Sequence, residues 1–360
     1  MSIAGIGIAT SVSPRRRRPP FFFVVALCSI LLAVLTVAIV TGAAGIPLHR
    51  LAAAFGLSSG DAATIERDRL ILWSIRLPRI AMAFIVGALL SVAGAMMQGL
   101  FRNPLADPGL VGVSGGGALA AAATIVLSDK LLIPASITPP FGLLPIAAFF
   151  GSLISTTMLY RLSTREGRTS VATFLLAGLA IGALANAAIG FLIFVADDRQ
   201  LRDVTFWMLG SLAGGTWLKV ATLLPFLLLV IVAGQYIARG LDLFVLGEAE
   251  AFHSGIEVER LKRIGIVVVA AAVGAAVSVS GVVGFVGIVI PHLLRLFIGP
   301  GHRLLLPSSM LLGGALLLAA DTFARTLVAP AELPIGVVTA LVGAPFFLIL
   351  LLKQRGRIGL

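Results

Sequence analysis

The chain has 360 residues, 59% hydrophobic and 12% charged, with a mean hydropathy of +1.08 and a net charge of +11. A water-soluble domain of this length needs far more polar surface, so the composition excludes one and implies a polytopic membrane protein. The positive charge reads as membrane topology and attraction to anionic lipid, not as nucleic-acid binding.

A hydrocarbon core of roughly 30 Å takes about 20 apolar residues per helix. Residues 1–20 mix Ser, Gly and Pro with the run Arg15, Arg16, Arg17, Arg18 and read as a disordered basic N-terminus. An all-α membrane domain over 21–354 follows, with a short tail at 355–360. Its ten predicted spans are 21–41, 79–100, 108–127, 142–160, 171–195, 217–237, 264–282, 284–298, 304–328 and 335–352. The first is apolar throughout, longer than the roughly 7–15 residues of a signal-peptide core, and reads as a retained anchor. Cys28, the only cysteine, lies in it and reads as a small buried hydrophobe, with no disulfide framework in prospect.

Three connections carry structure of their own. The charged segment Asp61 to Arg69 predicts a short surface helix. Residues 197–216 mix charges with Phe206, Trp207 and Met208, which suits an amphipathic helix at the membrane interface. Residues 239–263 are densely charged and broken at Gly247 and Gly255, predicting two short helices joined by a turn.

Basic residues set the orientation, since cytoplasmic loops carry their excess. With the N-terminus inside, ten crossings place 17 Lys and Arg inside and 10 outside, so both termini are expected in the cytoplasm. Gly178, Gly182, Asn186 and Gly190 share one face of the fifth span, as do Gly112 and Gly116 in the third. Such stripes serve close helix packing, or a helix that slides along a pathway. Arg76-Leu-Pro-Arg79 and Arg260-Leu-Lys-Arg263 stand ahead of comparable helix sets and hint at an inverted repeat.

The missing chemistry narrows the function. No lysine stands in a G-x-x-x-x-G-K-[ST] loop, so the chain has no ATP-phosphate cradle of its own. No carboxylate occupies a span centre, where a proton relay would need one; Asp107 and Asp321 fall near span ends. A proton-coupled secondary transporter is therefore the weaker alternative to a pore-forming subunit driven by another chain. No pair among His49, His253, His292 and His302 has metal-ligand spacing. Asp321 and Arg325, four apart, suit either an intrahelical ion pair or an outward docking role for Arg325. Gly112-Val113-Ser114-Gly115 matches the G-x-S-G of intramembrane serine proteases, with His292 as the one conceivable base.

Larger stretches carry a resemblance. RLPR (76–79), GALLSVAGAMMQGLFRNPLADPGLVGVSGGGALA (87–120), LLAGLAIG (175–182), GFVGIVIPHLLRL (284–296), LLLAADTFAR (316–325) and AELPIGVVTALVGAPFFLILL (331–351) are similar, in this order, to the FecCD family. Its members are the iron-chelate and cobalamin permeases of type II ABC importers. The resemblance implies ten helices per subunit, a homodimer with the pathway on its two-fold axis, two copies of an ABC ATPase subunit and a periplasmic binding protein, in a bacterial inner membrane. Arg76 and Arg79 match outer arginines that receive acidic residues of the binding protein, and Arg325 matches a third. Gly247, Glu248, Ala251 and Gly255 match the ATPase-coupling helices, about 241–262. Asn103, Pro104, Leu105 and Val171 match the cytoplasmic gate. Met96, Met97, Gln98 and Asn186 are pathway candidates, with helix packing as the other reading of the methionines. The segments 196–217 and 246–263 are most similar to haem permeases, implying haem as transported substrate with no permanently bound cofactor; ferric siderophore and cobalamin relatives share much of both.

Overall fold

A computed structural model describes residues 20–42, 46–58, 61–109, 112–127, 142–166, 168–329 and 331–355. The helices in chain order are α1 (Pro20–Val40), α2 (Leu48–Ala54), α3 (Ala62–Leu70), α4 (Leu77–Leu100), α5 (Val113–Leu127), α6 (Leu143–Ser163) and α7 (Val171–Phe194). Then come α8 (Asp198–Leu209), α9 (Trp217–Phe244), α10 (Glu248–His253), α11 (Val258–Ser280), α12 (Val286–Ile298), α13 (His302–Leu327) and α14 (Ile335–Arg355). A two-stranded antiparallel hairpin, β1 (Thr164–Arg165) and β2 (Arg168–Thr169), joins α6 to α7. Among the described residues seven helices are long and apolar enough to cross a membrane, and three shorter apolar helices bring the set to the ten spans expected. The protein is an all-α polytopic membrane protein. The N-terminal basic run falls on residues 1–19, outside the described residues.

Helix α4 is the centre. Nearly all of it is buried, against α13, α12, α11 and α9. The sequence permits this because its faces are small. A Cβ on Gly313 would lie 2.6 Å from the Gly87 carbonyl oxygen, and one on Gly94 would collide with the Gly287 backbone. Ser91 donates its hydroxyl to the Ser309 carbonyl at 2.6 Å, across the same α4–α13 seam. Helix α11 is the second buried helix and runs antiparallel to α4: Leu100 at the end of α4 meets Gly265 near the start of α11. The periphery is apolar as well, as lipid requires, with Ile154 and Leu162 of α6 and Leu228 and Val232 of α9 exposed.

Several element boundaries differ from the expectation. The surface helix at 61–69 and the second span form one helical run, Ala62–Leu100, joined by a π-turn at Ile71–Arg76. Pro78 has no N–H to donate, and the Leu77 N–H reaches five residues back to the Leu72 carbonyl. Between 239 and 263 there is one short helix rather than two. Nothing breaks the chain before Gly247, whose φ of 128° ends the run, so α9 continues to Phe244 and α11 begins at Val258. Cys28 is exposed on the free face of α1, not buried. The amphipathic helix after α7 is present as α8, closed by a reciprocal capping box between Asp197 and Gln200. At the foot of α3, Asp61 caps by accepting from the Thr64 N–H and hydroxyl, which holds its carboxyl below the usual carboxylate range.

The α4–α13 seam has room for no extra carbon. Gly313→Val is expected to destabilise the fold by about 1–3 kcal/mol, the range for overpacking a tight core. Gly190→Val, on the open face of α7 with nothing within 4 Å of its added carbon, is expected to be near neutral. Thermal unfolding in detergent compares the two.

Candidate functional site

Two polar clusters stand at opposite ends of the bundle, and both are built on the starts of the central helices. The first gathers the three arginines picked from the sequence. Arg79, in the first turn of α4, is buried with both edges of its guanidinium occupied. Nε donates to both Asp321 oxygens at 3.2 and 3.0 Å and Nη2 donates to Asp321 Oδ1 at 2.8 Å. The outward edge donates to Glu332, Nη1 to Oε1 at 2.8 Å and Nη2 to Oε2 at 3.0 Å. Asp321 is buried on α13, while Glu332 sits 40% exposed in the loop between α13 and α14.

Arg76 and Arg325 do different work. Arg325 Nη2 donates to the Ala38 carbonyl at 2.5 Å, and Arg76 Nη1 donates to the carbonyls of Ile39 and, at 3.3 Å, Val40. These are last-turn carbonyls of α1, which lack intrahelical partners and carry the negative end of the helix dipole. Two cations therefore clamp α1 against α4 and α13. None of the three guanidinium groups therefore stands free at the surface: Arg76, Arg79 and Arg325 are each less than a tenth exposed. Asp321 pairs with Arg79 of another helix, not with Arg325 four residues on, because the Arg325 side chain reaches α1 instead.

The opposite end brings together the residues expected from the sequence to serve coupling and gating. Gly247 opens α10, Glu248 begins it, Ala251 is fully buried beneath it and Gly255, at φ 83°, turns the chain toward α11. The Asn103 side chain accepts from the Leu105 N–H at 2.9 Å, fixing a tight turn after α4 with Pro104 exposed at its tip. Phe101 packs on Phe174 with ring centroids 4.9 Å apart, which docks this turn on the first turn of α7, headed by Val171.

Of the pathway candidates only Asn186 is on an open face. It is exposed on α7 with no hydrogen-bond partner among the described residues. Met96 and Met97 are buried in the core of this one chain, Met96 reaching toward Gly234 of α9, and so they pack. Gln98 is a helix tie: its amide donates to the Gly287 carbonyl at 3.0 Å, and Arg295 Nη1 donates to its Oε1. The glycine stripes separate in the same way. Gly112 packs against Gly178, and Gly116 against α6, where Ser155 donates to the Gly112 carbonyl at 2.9 Å. Ser114 is buried and has no hydrogen bond to His292, whose ring packs on Phe346 of α14. Among the described residues, Ser114 and His292 form no nucleophile–base pair.

Sequence reasoning passed over Glu332 and the β1–β2 hairpin. Glu332 stood in the AELP stretch as a family match without an assigned partner. A two-residue strand leaves no periodic signal.

Asp321 is the buried half of the Arg79 pair. Asp321→Asn, which leaves that guanidinium edge uncompensated, is expected to cost about 3–5 kcal/mol, whereas Glu332→Gln at the exposed edge costs about 0–1 kcal/mol. Denaturation midpoints in detergent measure both.

Comparison with known proteins agrees with this architecture. The FecCD transport family model matches residues 30–353. The hemin transport system permease HmuU of Yersinia pestis is 47% identical over 287 residues, 79% of this chain and 84% of that protein. The cobalamin import system permease BtuC of Halobacterium salinarum is 43% identical over 296 residues, 81% of this chain and 76% of that protein. A solved transporter, described as of the metal-chelate ABC type and inward-facing, superposes with a TM-score of 0.78 at 28% identity, covering 92% of this chain and 99% of its own. The chain belongs to the FecCD transport family.

Proposed function

We propose that this FecCD-family membrane protein is the permease subunit of an ATP-driven importer that moves haem from the periplasm to the cytoplasm. It works as a homodimer with two copies of an ABC ATPase subunit, in a bacterial inner membrane with both termini cytoplasmic. A periplasmic haem-binding protein delivers the substrate to the arginine end.

The observation that carries the importer reading is the family match over nine-tenths of the chain together with a short, buried-backed helix, α10, standing alone at one end. Haem is favoured by the 47% identity to the hemin permease, against 43% to the cobalamin permease. The chemistry of α7 fits that cargo. Beyond Thr173 in the first turn, its exposed face is apolar apart from one unpartnered amide, Asn186, which in a bilayer belongs on a water-accessible path. A planar, largely apolar porphyrin slides along such a face, and no histidine on it coordinates the iron. A second copy facing α7 closes the path.

Docking is electrostatic. Asp321 anchors the inner edge of Arg79, and Glu332 occupies the outer edge, where a carboxylate of the binding protein can replace it without disturbing the fold. Arg76 and Arg325 add positive potential from behind. Such partly exposed pairs exchange readily and weaken with salt. At the inner end, the turn Asn103–Leu105 and the head of α7 at Val171 form the gate.

In proteoliposomes holding the chain with its ATPase, haem uptake is expected to require ATP and to resist competition by cobalamin or a ferric siderophore. Equal competition by cobalamin would reassign the cargo, and uptake by the lone chain under a pH gradient would replace the importer with a secondary transporter. Glu332→Gln, which removes the internal occupant of the docking edge, is expected to tighten association with the binding protein at low salt. Unchanged affinity in a surface-binding assay makes Glu332 a structural residue only.

A further inference from the structure

Lys262, on the first turns of α11, is the most deeply buried cation at the α10 end, 2% exposed. Its ammonium has three N–H groups and finds three oxygens, each on a different element. Nζ donates to Glu248 Oε2 on α10 at 2.9 Å, to Glu259 Oε1 on its own helix at 3.2 Å and to the Thr169 carbonyl on β2 at 3.3 Å. Glu259 completes a ring. Its other oxygen accepts from the Thr169 N–H at 3.2 Å and from the Thr169 hydroxyl at 3.0 Å. Thr169 is thus gripped three times, and Ser170, the next residue, caps α7 by accepting from the Thr173 N–H at 3.3 Å.

Resting on the importer reading, we propose that Lys262 is the positioning residue that ties the coupling helix α10 to the hairpin and, through Thr169 and Ser170, to the pathway helix α7. The outer side of α10 is free for a partner, with Phe252 68% exposed, while Ala251 seals its inner side. A push on α10 therefore reaches Glu248, and Lys262 passes it to the hairpin through contacts that cannot stretch without unpairing a buried charge. The hairpin is short and leads straight into α7, so its displacement becomes a tilt of that helix. Phe174, one turn in, carries the motion to Phe101 and the turn at Asn103. The ring has no evident use in stability alone, since an apolar side chain of Lys volume would fill the site; what it supplies is a fixed geometry among three elements that are otherwise joined by turns.

The test uses the complex reconstituted with its ATPase subunits and reads substrate imported per ATP hydrolysed. Lys262→Met is expected to lower that ratio by about tenfold, within the range of a typical coupling free energy, with the ATPase still co-purifying. Thr169→Val, which loses one of the three grips, is expected to lower it less, and Lys262→Arg to restore most of it. An unchanged ratio in Lys262→Met overturns the proposal, as does loss of ATPase association in both Lys262 variants, which makes the residue part of the dock or the fold. Independently of any cargo, nitroxide labels at Ser254→Cys, at the exposed end of α10, and Thr173→Cys in a Cys28→Ser background follow α10 and α7. ATP is expected to move both labels in the otherwise unaltered complex and only the first in Lys262→Met. Movement of both in Lys262→Met refutes the tie, while failure of ATP-driven uptake by the unaltered complex bears on the importer reading instead.

Discussion

Lipid offers apolar helices no reward for leaving it, so this bundle depends on how closely backbones approach α4. Dispersion and hydrogen bonds between helices are what remain, and both grow steeply as axes come together. Gly87 against Gly313 and Gly94 against Gly287 bring α13 and α12 to backbone contact, and Ser91 adds a hydroxyl bond at the same seam. Every other feature hangs from this. The α4 axis places Arg79 at one end and Phe101 with the Asn103 turn at the other, and the four helices that clasp it leave α7 to the outside.

The two ends solve the same problem in the same way. Each of the two central helices begins with a buried cation, Arg79 on α4 and Lys262 on α11, and the helices are antiparallel, so the cations lie at opposite ends. Each cation meets two carboxylates, at least one of them from a neighbouring element: Asp321 and Glu332 for Arg79, Glu248 of α10 and Glu259 of its own helix for Lys262. A buried charge with one partner removed is costly, whereas the complete set is held in one geometry. The cations stand within Arg76-Leu-Pro-Arg79 and Arg260-Leu-Lys-Arg263, the pair of motifs that the sequence presents ahead of two helix sets. The partial symmetry is in the device as well as in the letters.

The spans were legible because twenty apolar residues in a row admit one structure in a bilayer, and all ten have their helix. The polar segments between them were less so. Composition alone could not reveal that 61–69 runs on into α4, because Pro78 ordinarily signals a break, and here a π-turn absorbs its missing N–H. The same holds for 239–263, where charge suggested separate surface helices but no residue before Gly247 stops α9. Among the site residues, the arginines were found by family pattern, yet their partners were not. Reaching Ala38, Ile39 and Val40 from Arg325 and Arg76 requires knowing that α1 ends beside α4, a contact some forty to three hundred positions distant in the chain. Met96 and Met97 show the limit from the other side, since periodicity cannot tell the face turned to a neighbouring helix from the face turned to a path.

Helix α7 is held along one face, by Phe174, Gly178, Ala185 and Ile189. It rests on α5 through Gly178 against Gly112 and through Ile189 beside Ala118 and Ala122, its opposite face exposes Asn186, Gly190 and Phe194, and its first turn is moored by the hairpin and by Phe174 on Phe101. Elements with few buried contacts are the ones that move at low cost. Small residues at the α5 contact remove the interlocking that would resist a tilt, so the mooring at the first turn decides where the helix points. That mooring is made of hydrogen bonds and one buried ammonium rather than of packed carbon, and polar contacts of defined length switch between discrete arrangements where apolar ones slide. A helix packed along one face only and firmly tied at one end is a lever, and the tied end is the one beside α10.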